Sequence, residues 1–348
     1  MTVKPSAVHT LLGVVVGIIL FLLTFGVEQY YRYHVSNLRS LDGKEHRYYI
    51  YPGTSLDSVL NMVRKDYNIS GELDLRWHMR LRVFTEPKPG HYVFPDAMGD
   101  KLFITRLQSG EQTPIQLKWT NMVRTREDLA GRVASQLMLD SVDMIERLSD
   151  DNYMAKFDLD GENSRCLFIP NSYEVYWTIS PDELFKRMEQ EYRAFWTKER
   201  RHKAEAQGLT PVEVAILASI VECETYISKD MPTIASLYIN RLRKGMPLQA
   251  CPTVIYAVGD FSIRRVLKSH LKVESAYNTY KHKGLPPGPI RCPLPRTLDY
   301  VLDAPKTDYL YMCASPALDG THIFSSSYGT HSSAARDYQR TMNQKHIK

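Results

Sequence analysis

The most apolar stretch of the chain lies near its amino terminus. Residues 10–27 read TLLGVVVGIILFLLTFGV and contain no charged side chain. A helix of that length spans roughly 27 Å, which is close to the thickness of the hydrocarbon layer of a membrane. A core helix of a soluble protein would carry a polar face, and this segment has none. The pattern predicts a membrane anchor over residues 10–27, preceded by a cytoplasmic stub over residues 1–9.

A cleaved signal peptide is the alternative explanation of this apolar run. Its hydrophobic core would be shorter and would be followed by small residues at a cleavage site. Here the run is followed by Glu28 and Gln29 and then by Tyr30, Tyr31 and Tyr33, an aromatic belt typical of a membrane interface. The sequence therefore predicts an uncleaved, single-pass anchor in the cell (inner) membrane. A short stub before a large remainder favours a periplasmic or extracytoplasmic position for the bulk of the chain.

Short elements alternate between the anchor and the middle of the chain. Residues 28–45 are polar and are predicted to form a juxtamembrane linker. Tyr48–Tyr51 is predicted to be a strand, Pro52–Gly53 a turn, and Ser55–Tyr67 a short helix. This strand–turn–helix order is reminiscent of the small LysM sugar-binding module. We therefore predict a LysM-like αβ subdomain over residues 46–112.

The remainder of the chain mixes strand and helix patterns. Ile115–Trp119 alternates apolar and polar residues, which predicts a strand, and the apolar run Cys166–Pro170 predicts another. Arg126–Leu139 has its apolar residues near one face, which predicts an amphipathic helix. Together these elements predict an α+β fold in which residues 113–348 form a larger mixed α/β domain that carries the chemistry.

The strongest helix start in the chain lies at Thr210. Thr210 is suited to cap the helix, Pro211 to take its first position, and Glu213 to close a capping box. The following segment, VAILASIV, is apolar on every side, so this helix is predicted to be buried. It carries Glu222 to its far end, where partial loss of solvent raises the pKa of a carboxyl group. A carboxyl group that stays protonated near neutral pH is suited to general-acid catalysis.

Glu224 follows Glu222 by two positions. The two side chains are separated by about 200° around the helix, so at most one of them points into a given cleft. Taken alone, two exposed glutamates at a helix end would be the commoner arrangement. Further along, Asp230 is positioned to cap a second helix that stops at Gly245. The run GLPPGPI, residues 284–290, is too rich in proline and glycine to be helical.

Composition and charge change this picture little. The net charge of +5 is compatible with an anionic partner such as cell wall or membrane. No nucleic-acid-binding motif accompanies the charge, so no nucleic-acid partner is predicted. Five cysteines form no CxxC pair, and their odd number excludes complete pairing within the chain. Neither the cysteines nor the histidines have the spacing of a metal site, and no metal or cofactor is predicted.

Six motifs follow one another in an order that resembles a known family. They read ASIVECET, YINRLRKGMPLQ, PTVIYAVG, AYNTY, GLPPGPI and GTHIF. From about residue 46 to its end, the chain resembles the YceG-like (MltG) family of endolytic murein transglycosylases, most specifically over residues 211–331. Members of that family have a single amino-terminal anchor and a LysM-like subdomain, in agreement with the elements predicted above.

The resemblance implies roles for individual residues. The first glutamate of the family's SIVExET motif is catalytic, and it falls on Glu222. Glu224 occupies the second acidic position and is expected to support it. The other recurrent cleft positions, expected to support the site or bind substrate, fall on Asn240, Arg241, Gln249, Tyr277, Asn278, Tyr280 and His322.

The resemblance also implies a reaction. A member of the family cleaves the bond between MurNAc and GlcNAc within nascent glycan strands and leaves 1,6-anhydroMurNAc ends. Such an enzyme is a lyase and acts as a terminase of glycan polymerisation. Its expected partners are peptidoglycan glycan strands, the membrane and, as candidates, peptidoglycan synthases or division proteins.

The chain departs from the family pattern at three places. Cys251 replaces an aspartate, Cys292-Pro293-Leu294 replaces Asn-Pro-Gly, and Ser332 replaces an asparagine. These departures leave open a non-catalytic peptidoglycan-binding or complex-organising membrane protein. A hydrolytic glycosidase with a second carboxylate is another alternative. A pyridoxal-phosphate-dependent lyase is a third, although no lysine here stands in an apolar, motif-like setting.

Overall fold

The computed structural model describes residues 5–345, so the first four residues of the predicted stub lie outside the described residues. The chain divides into two compact units. The first comprises the residues up to 116 together with Glu174–Thr178. The second comprises Leu117–Tyr173 and the residues from 179 onward.

The amino-terminal helix, α1 (Pro5–His34), is 30 residues long. Within His9–His34 the most apolar stretch of 18 residues has a mean hydropathy of 2.7 and is not buried, and the segment is long and apolar enough to cross a membrane. The predicted anchor lies within it. The helix continues past the predicted anchor into the predicted juxtamembrane linker and ends at His34. Arg32 pairs there with both Glu28 and Asp74, so charged residues at this end of the helix have partners.

Two small antiparallel sheets and three further helices make up most of the first unit. In chain order its elements are β1 (Leu38–Ser40), β2 (His46–Ile50), α2 (Leu56–Val63), β3 (Tyr67–Ile69), α3 (Glu72–Leu81), β4 (Gly90–Phe94), β5 (Ala97–Met98) and α4 (Asp100–Ser109). β1 lies between β3 and β5, with Leu38 opposite both Ile69 and Met98. β2 pairs with β4, with His46 opposite Phe94. The first and last strands of the segment β2–α2–β3–α3–β4 thus lie side by side, while β3 pairs with β1 in the other sheet.

The core of the first unit combines apolar packing with one buried polar group. Leu60, Phe94 and Phe103 are fully buried, and each such side chain contributes about 1.5–3 kcal/mol through burial. The buried carboxylate of Asp100 accepts a hydrogen bond from Asn37 and lies 2.6 Å from the ring of His78. Because its oxygens have partners, this carboxylate is compatible with a buried position.

Helices dominate the rest of the chain. The elements are β6 (Ile115–Lys118), α5 (Arg126–Ala134), α6 (Ser141–Ser149), α7 (Asp151–Met154), β7 (Ser172–Val175), α8 (Pro181–Phe195), α9 (Lys198–Gln207), α10 (Pro211–Glu224), α11 (Met231–Arg243), α12 (Cys251–Val258), α13 (Pro295–Leu302), β8 (Tyr311–Ala314), β9 (His322–Ser325) and α14 (Tyr328–Gln344). β6 pairs with β7, and β8 pairs with β9 in antiparallel register. The described residues therefore have the mixed α+β fold that the sequence predicts.

Helix α10 is the buried helix of the second unit. Every residue from Val214 to Glu222 is buried, and the helix packs against α11, α12 and α13. Its start is fixed by reciprocal hydrogen bonds: the Thr210 hydroxyl accepts from the Glu213 N–H, and the Glu213 carboxylate accepts from the Thr210 N–H. The predicted capping box and the predicted burial are both confirmed. They determine where the far end of the helix presents Glu222.

Two local predictions in this unit are wrong. Cys166–Pro170 is not a strand, because Ser164–Leu167 forms a 3₁₀ turn that buries its apolar residues without any strand partner. Asp230 stands immediately before α11, yet its side chain does not cap the helix. The Asp230 carboxylate instead accepts the backbone N–H of His322 at 2.9 Å. Both errors have the same cause. Contacts with distant segments determine the conformation and partners of these residues, and a local sequence pattern does not contain such contacts.

Candidate active site

A cavity of about 240 Å³ opens at the carboxyl end of α10. Glu222 and Cys223 form part of its wall. The other lining residues come from α12 and from four loops, those before α5, after α10, after α12 and before α13: Arg124, Tyr226, Pro252, Ile255, Tyr256, Phe261, Ile263, Ile290 and Arg291. Three aromatic faces among them suit contact with the apolar face of a sugar ring. The ring of Tyr226, with 97% exposure, is fully available for such contact.

Both carboxylate oxygens of Glu222 accept hydrogen bonds. The Asn121 side-chain amide donates to Oε1 at 2.8 Å, and the Leu294 backbone N–H donates to Oε2 at 3.1 Å. The Glu222 residue is only 5% exposed although it lines the cavity. The carboxyl group is therefore held in one orientation, with its remaining lone pairs available to a molecule in the cavity.

The protonation of Glu222 is set by opposing influences. Burial raises the pKa of Glu222, because removing water disfavours the charged form. The hydrogen bonds from Leu294 and Asn121 and the positive charges of Arg291 and Arg296 oppose that rise. Burial prevails, so the carboxyl group keeps its proton to higher pH than an exposed glutamate does. The same donors also stabilise the carboxylate once the proton has left, as an acid that later acts as a base requires.

The loop before α13 positions the backbone donor and lines the cavity. The Ile290 N–H donates to the Ser219 hydroxyl on α10 at 3.0 Å, and the Cys292 N–H donates to the Val123 carbonyl at 2.9 Å. Leu294, two residues on, then reaches Glu222 with its N–H. Since Leu294 contributes a backbone group, the departure from Asn-Pro-Gly at residues 292–294 leaves this contact in place. The fully buried Cys292 side chain does not line the cavity.

A glycine allows this loop to pass close to its neighbour. A Cβ added at Gly288 would overlap the backbone carbonyl oxygen of Glu162 and approach the Tyr277 hydroxyl to 3.0 Å. Backbone cannot yield as a flexible side chain can. This close approach, rather than a special backbone angle, explains the glycine in the GLPPGPI run.

Gly288→Ala is accordingly expected to destabilise the second unit by about 2 kcal/mol and to lower activity, because the shifted loop carries the Leu294 donor and part of the cavity wall. Thermal unfolding of Gly288→Ala and of Gly284→Ala distinguishes two reasons why a glycine resists replacement, steric overlap and backbone strain. Gly284 has a φ of +87° but open space around it, so alanine there meets backbone strain without overlap. Equal stability of Gly288→Ala and the unchanged chain would contradict the assignment.

Glu224 contacts Tyr238 instead of lining the cavity. Its Oε1 accepts the hydrogen bond of the Tyr238 hydroxyl at 2.6 Å. Burial raises the pKa of Glu224 to about 7, against the opposing hydrogen bond from Tyr238 and the charge of Arg241. The prediction that at most one of the two glutamates points into a given cleft is confirmed, and the supporting role expected of Glu224 stays a prediction.

Glu224→Gln is expected to change how folding stability depends on pH. The folded chain holds Glu224 protonated up to about pH 7, whereas an unfolded chain releases the proton near 4.5. Stability from this group is therefore fully present below about pH 4.5 and is lost as the pH rises through 7, by roughly 3 kcal/mol. Glutamine does not ionise, so thermal unfolding should show the variant to be the more stable at about pH 8 and equal to the wild type near pH 4.5. A difference of the same size at both pH values would exclude this explanation.

Three of the predicted supporting residues bind backbone carbonyl groups. Asn240 donates to the carbonyls of Thr307 and Tyr309, and Arg241 donates to those of Leu310 and Leu248. The buried side chain of Asn278 donates to two carbonyls in its own loop, those of residues 271 and 273. These contacts hold loops together, and none of the three side chains lines the cavity. Their expected contact with substrate stays a prediction.

The remaining predicted residues also lie outside the cavity lining. The Tyr277 hydroxyl donates to Glu162 at 2.8 Å, and the Tyr280 hydroxyl lies 3.2 Å from the sulfur of Cys251. Gln249 is exposed and has a φ of +51°. His322 lies with its ring nitrogen 3.1 Å from the Asp230 carboxylate. Of the nine residues predicted for the site, the structure places only Glu222 in the cavity wall.

Sequence reasoning missed the residues that surround Glu222. Asn121 precedes it by 101 positions and stands in a loop without any motif. Arg124 belongs to the same loop, and Arg291 directly follows the GLPPGPI run. The only signal in the sequence was the charge of Arg291 beside an otherwise apolar, proline-rich segment. Their convergence depends on long-range packing, which a local pattern does not contain.

Comparison with known proteins identifies a family model, named relatives and a solved structure to which this chain is similar. A family model described as the YceG-like family matches residues 48–337. A protein of Bacillus subtilis named endolytic murein transglycosylase is 26% identical over 309 residues, or 84% of each chain. One of the same name from Streptococcus pneumoniae is 22% identical and aligns over 86% of this chain and 60% of its own length. The crystal structure of a YceG-like protein from Listeria monocytogenes superimposes with a TM-score of 0.55 at 25% identity, covering 83% of this chain and 98% of that one.

Proposed function

The chain belongs to the YceG-like family, and we propose that it is an endolytic peptidoglycan lytic transglycosylase, a lyase that cuts within glycan strands. The observation that carries the proposal is the setting of Glu222. It lines a cavity at the end of a buried helix, its pKa is raised by burial, and two donors hold its oxygens. The names of the relatives in Bacillus subtilis and Streptococcus pneumoniae agree with this chemistry.

The reaction uses one carboxyl group twice. Protonated Glu222 donates its proton to the glycosidic oxygen between MurNAc and GlcNAc as that bond breaks. The resulting carboxylate then takes the proton of the muramyl C6 hydroxyl as this oxygen bonds to the anomeric carbon. The product ends in 1,6-anhydroMurNAc, and Glu222 is protonated again. The reaction consumes no water, because the C6 hydroxyl of the substrate is the nucleophile.

The cavity lining favours this reaction over hydrolysis with two carboxylates. An ordinary glycosidase places a second Asp or Glu across the scissile bond. Among the residues that line the cavity, Glu222 is the only one with a carboxylate. Glu224, the nearest candidate in sequence, is hydrogen-bonded to Tyr238 instead. The lining also contains no lysine that could form a Schiff base with pyridoxal phosphate.

The first unit and α1 suggest where the enzyme acts. We propose that α1 anchors the chain in the cell (inner) membrane with the second unit on the extracytoplasmic side. Two strands, β2 and β4, pair with one another and enclose the helices α2 and α3 in the chain, with the short strand β3 between the helices, and this arrangement supports a LysM-like subdomain that binds glycan. An anchored enzyme of this kind meets nascent strands close to the membrane, where cleavage ends polymerisation. Peptidoglycan synthases or division proteins are its proposed partners.

Digestion of purified peptidoglycan by the detergent-solubilised full chain tests the function. We expect soluble fragments with a broad distribution of lengths from the earliest time points, because an endolytic enzyme cuts inside strands. A stepwise release of disaccharides from strand ends would exclude endolytic action. Binding of strands without any release would favour the non-catalytic alternative that the departures at Cys251 and residues 292–294 left open.

A further inference from the structure

Arg291 is a buried cation whose hydrogen-bonding capacity is incompletely used within the part of the chain that the structure describes. The residue is 7% exposed and lines the cavity beside Glu222. Its buried Nε has no hydrogen-bond partner among the described residues. Arg241, which is similarly buried, instead has its Nε and a terminal nitrogen satisfied by the Leu310 and Leu248 carbonyls. A buried donor without an acceptor costs free energy, so a group that arrives in the cavity and accepts from Arg291 gains from binding there.

The backbone around Arg291 is fixed on both sides. Its preceding residue, Ile290, donates to the Ser219 hydroxyl on α10, and its following residue, Cys292, donates to the Val123 carbonyl. Low exposure limits any movement of the guanidinium into solvent. The Arg291 side chain is therefore preorganised in the cavity wall, and this lowers the entropic cost of binding an anion.

A second arginine in the same lining adds positive charge. Arg124 stacks its guanidinium over the ring of Phe261 at 4.7 Å, a contact that leaves the N–H groups at its edge available. The single carboxyl group in the lining belongs to Glu222, which already accepts from Asn121 and Leu294. In the proposed reaction Glu222 is also protonated before cleavage. The cavity thus has an excess of positive charge when substrate arrives.

We propose that Arg291, assisted by Arg124, forms a carboxylate-binding subsite that holds an acidic group of the muramyl residue at the scissile bond. The assignment rests on the proposed function. The muramyl residue carries a lactyl ether whose carboxyl group is free in peptide-stripped strands and is extended by an acidic peptide in intact strands. GlcNAc has neither group. The planar guanidinium matches a carboxylate through two parallel hydrogen bonds.

The subsite would set the register of the strand in the cleft. MurNAc and GlcNAc alternate, so a strand contains two kinds of glycosidic bond. Only in the bond from MurNAc to GlcNAc does the anomeric carbon belong to the muramyl residue, whose own C6 hydroxyl attacks it. Holding the acidic substituent of MurNAc places that bond over Glu222 and disfavours the strand shifted by one sugar. Arg291 is in this sense a specificity-determining residue rather than a catalytic one.

Equilibrium binding to the detergent-solubilised full chain tests the subsite. Measurement in a Glu222→Gln background prevents cleavage, so the result does not depend on the proposed reaction. Three ligands are compared: peptide-stripped strands with free lactyl carboxylates, the same strands with these carboxylates converted to neutral amides, and peptide-bearing strands. The added variants are Arg291→Gln, which removes the charge, and Arg291→Lys, which keeps the charge but loses the planar fork.

Arg291→Gln is expected to weaken binding of a carboxylate-bearing ligand about tenfold and to leave the amidated strands unchanged. An effect on stripped strands assigns the lactyl carboxylate, and an effect confined to peptide-bearing strands assigns the peptide. Arg291→Lys, which maintains the buried charge, should recover part of the affinity even if the glutamine variant folds poorly. Two results would overturn the subsite. In one, the Glu222→Gln chain with Arg291 intact binds all three ligands with equal affinity. In the other, Arg291→Gln weakens binding of the amidated strands as much as it weakens binding of the carboxylate-bearing ligands. Failure of the wild type to release fragments from peptidoglycan would instead refute the proposed function.

Discussion

Replacing Glu222 by glutamine is expected to lower the rate of strand cleavage by about a thousandfold and to leave the fold intact. Glutamine has no proton to donate and no charge with which to recover one. It keeps the size of glutamate, and its carbonyl oxygen still accepts from the Leu294 N–H. The Asn121 amide can rotate so that its oxygen accepts from the new NH₂ group, since the structure pairs these two side chains at 2.8 Å. The measurement is fragment release from purified peptidoglycan, together with thermal unfolding.

Glu205→Gln provides the matched control. Glu205 lies exposed on α9, so the same chemical change there removes a solvated carboxylate that has no place in the cavity. We expect the control to release fragments at the wild-type rate. Release by Glu222→Gln at more than about a tenth of the wild-type rate would remove Glu222 from the centre of the mechanism.

Asn121→Ala is expected to slow cleavage by ten- to a hundredfold and to extend activity to higher pH. The Asn121 amide donates to the charged form of Glu222, so its loss raises the pKa of Glu222 further. The active enzyme needs protonated Glu222, and the rate falls as the pH rises through that pKa. The alkaline limb of the pH–rate profile should therefore move to higher pH, while the weaker orientation of the carboxyl group lowers the maximum.

The shift of the alkaline limb separates an electrostatic role of Asn121 from a structural one. Loss of folded protein would lower the rate equally at every pH and would leave the position of the limb unchanged. Asn121→Asp sharpens the comparison, because a second carboxylate beside Glu222 also raises its pKa, through repulsion between like charges. An unchanged limb in both variants would show that this contact does not control the protonation of Glu222.

Local chemistry explains why some elements could be predicted from the sequence. The capping box at Thr210 and Glu213 is contained in four consecutive residues, and the structure reproduces it. The apolar run after it has no polar face, so burial of α10 follows from composition alone. The cap of α6 by Asp140 is of the same local kind: its side chain accepts the Val142 N–H. Such features need no knowledge of distant parts of the chain.

Contacts between distant segments explain what the sequence could not predict. Asp230 has the position of a cap, but its carboxylate binds His322, which lies 92 residues away. The apolar run at Cys166 is buried by packing, and periodicity alone does not distinguish such a run from a strand. In the site, the position of Glu222 was predictable, whereas its donor Asn121 and the cations Arg124 and Arg291 come from loops without local patterns. The resemblance to a family indicated further residues expected in the cleft, and most of these make hydrogen bonds outside the cavity, several of them to backbone carbonyls of loops.

Digestion of peptidoglycan in water enriched in the heavy oxygen isotope tests the central claim most directly. Hydrolysis transfers an oxygen atom of water to the new reducing end, whereas the single-carboxylate reaction closes the ring with the muramyl C6 oxygen and takes nothing from water. Mass spectrometry of the fragments should therefore show 1,6-anhydroMurNAc ends without heavy oxygen for the wild-type chain, and few or no new ends for Glu222→Gln. New reducing ends that carry heavy oxygen would show that water is the nucleophile and would contradict the account.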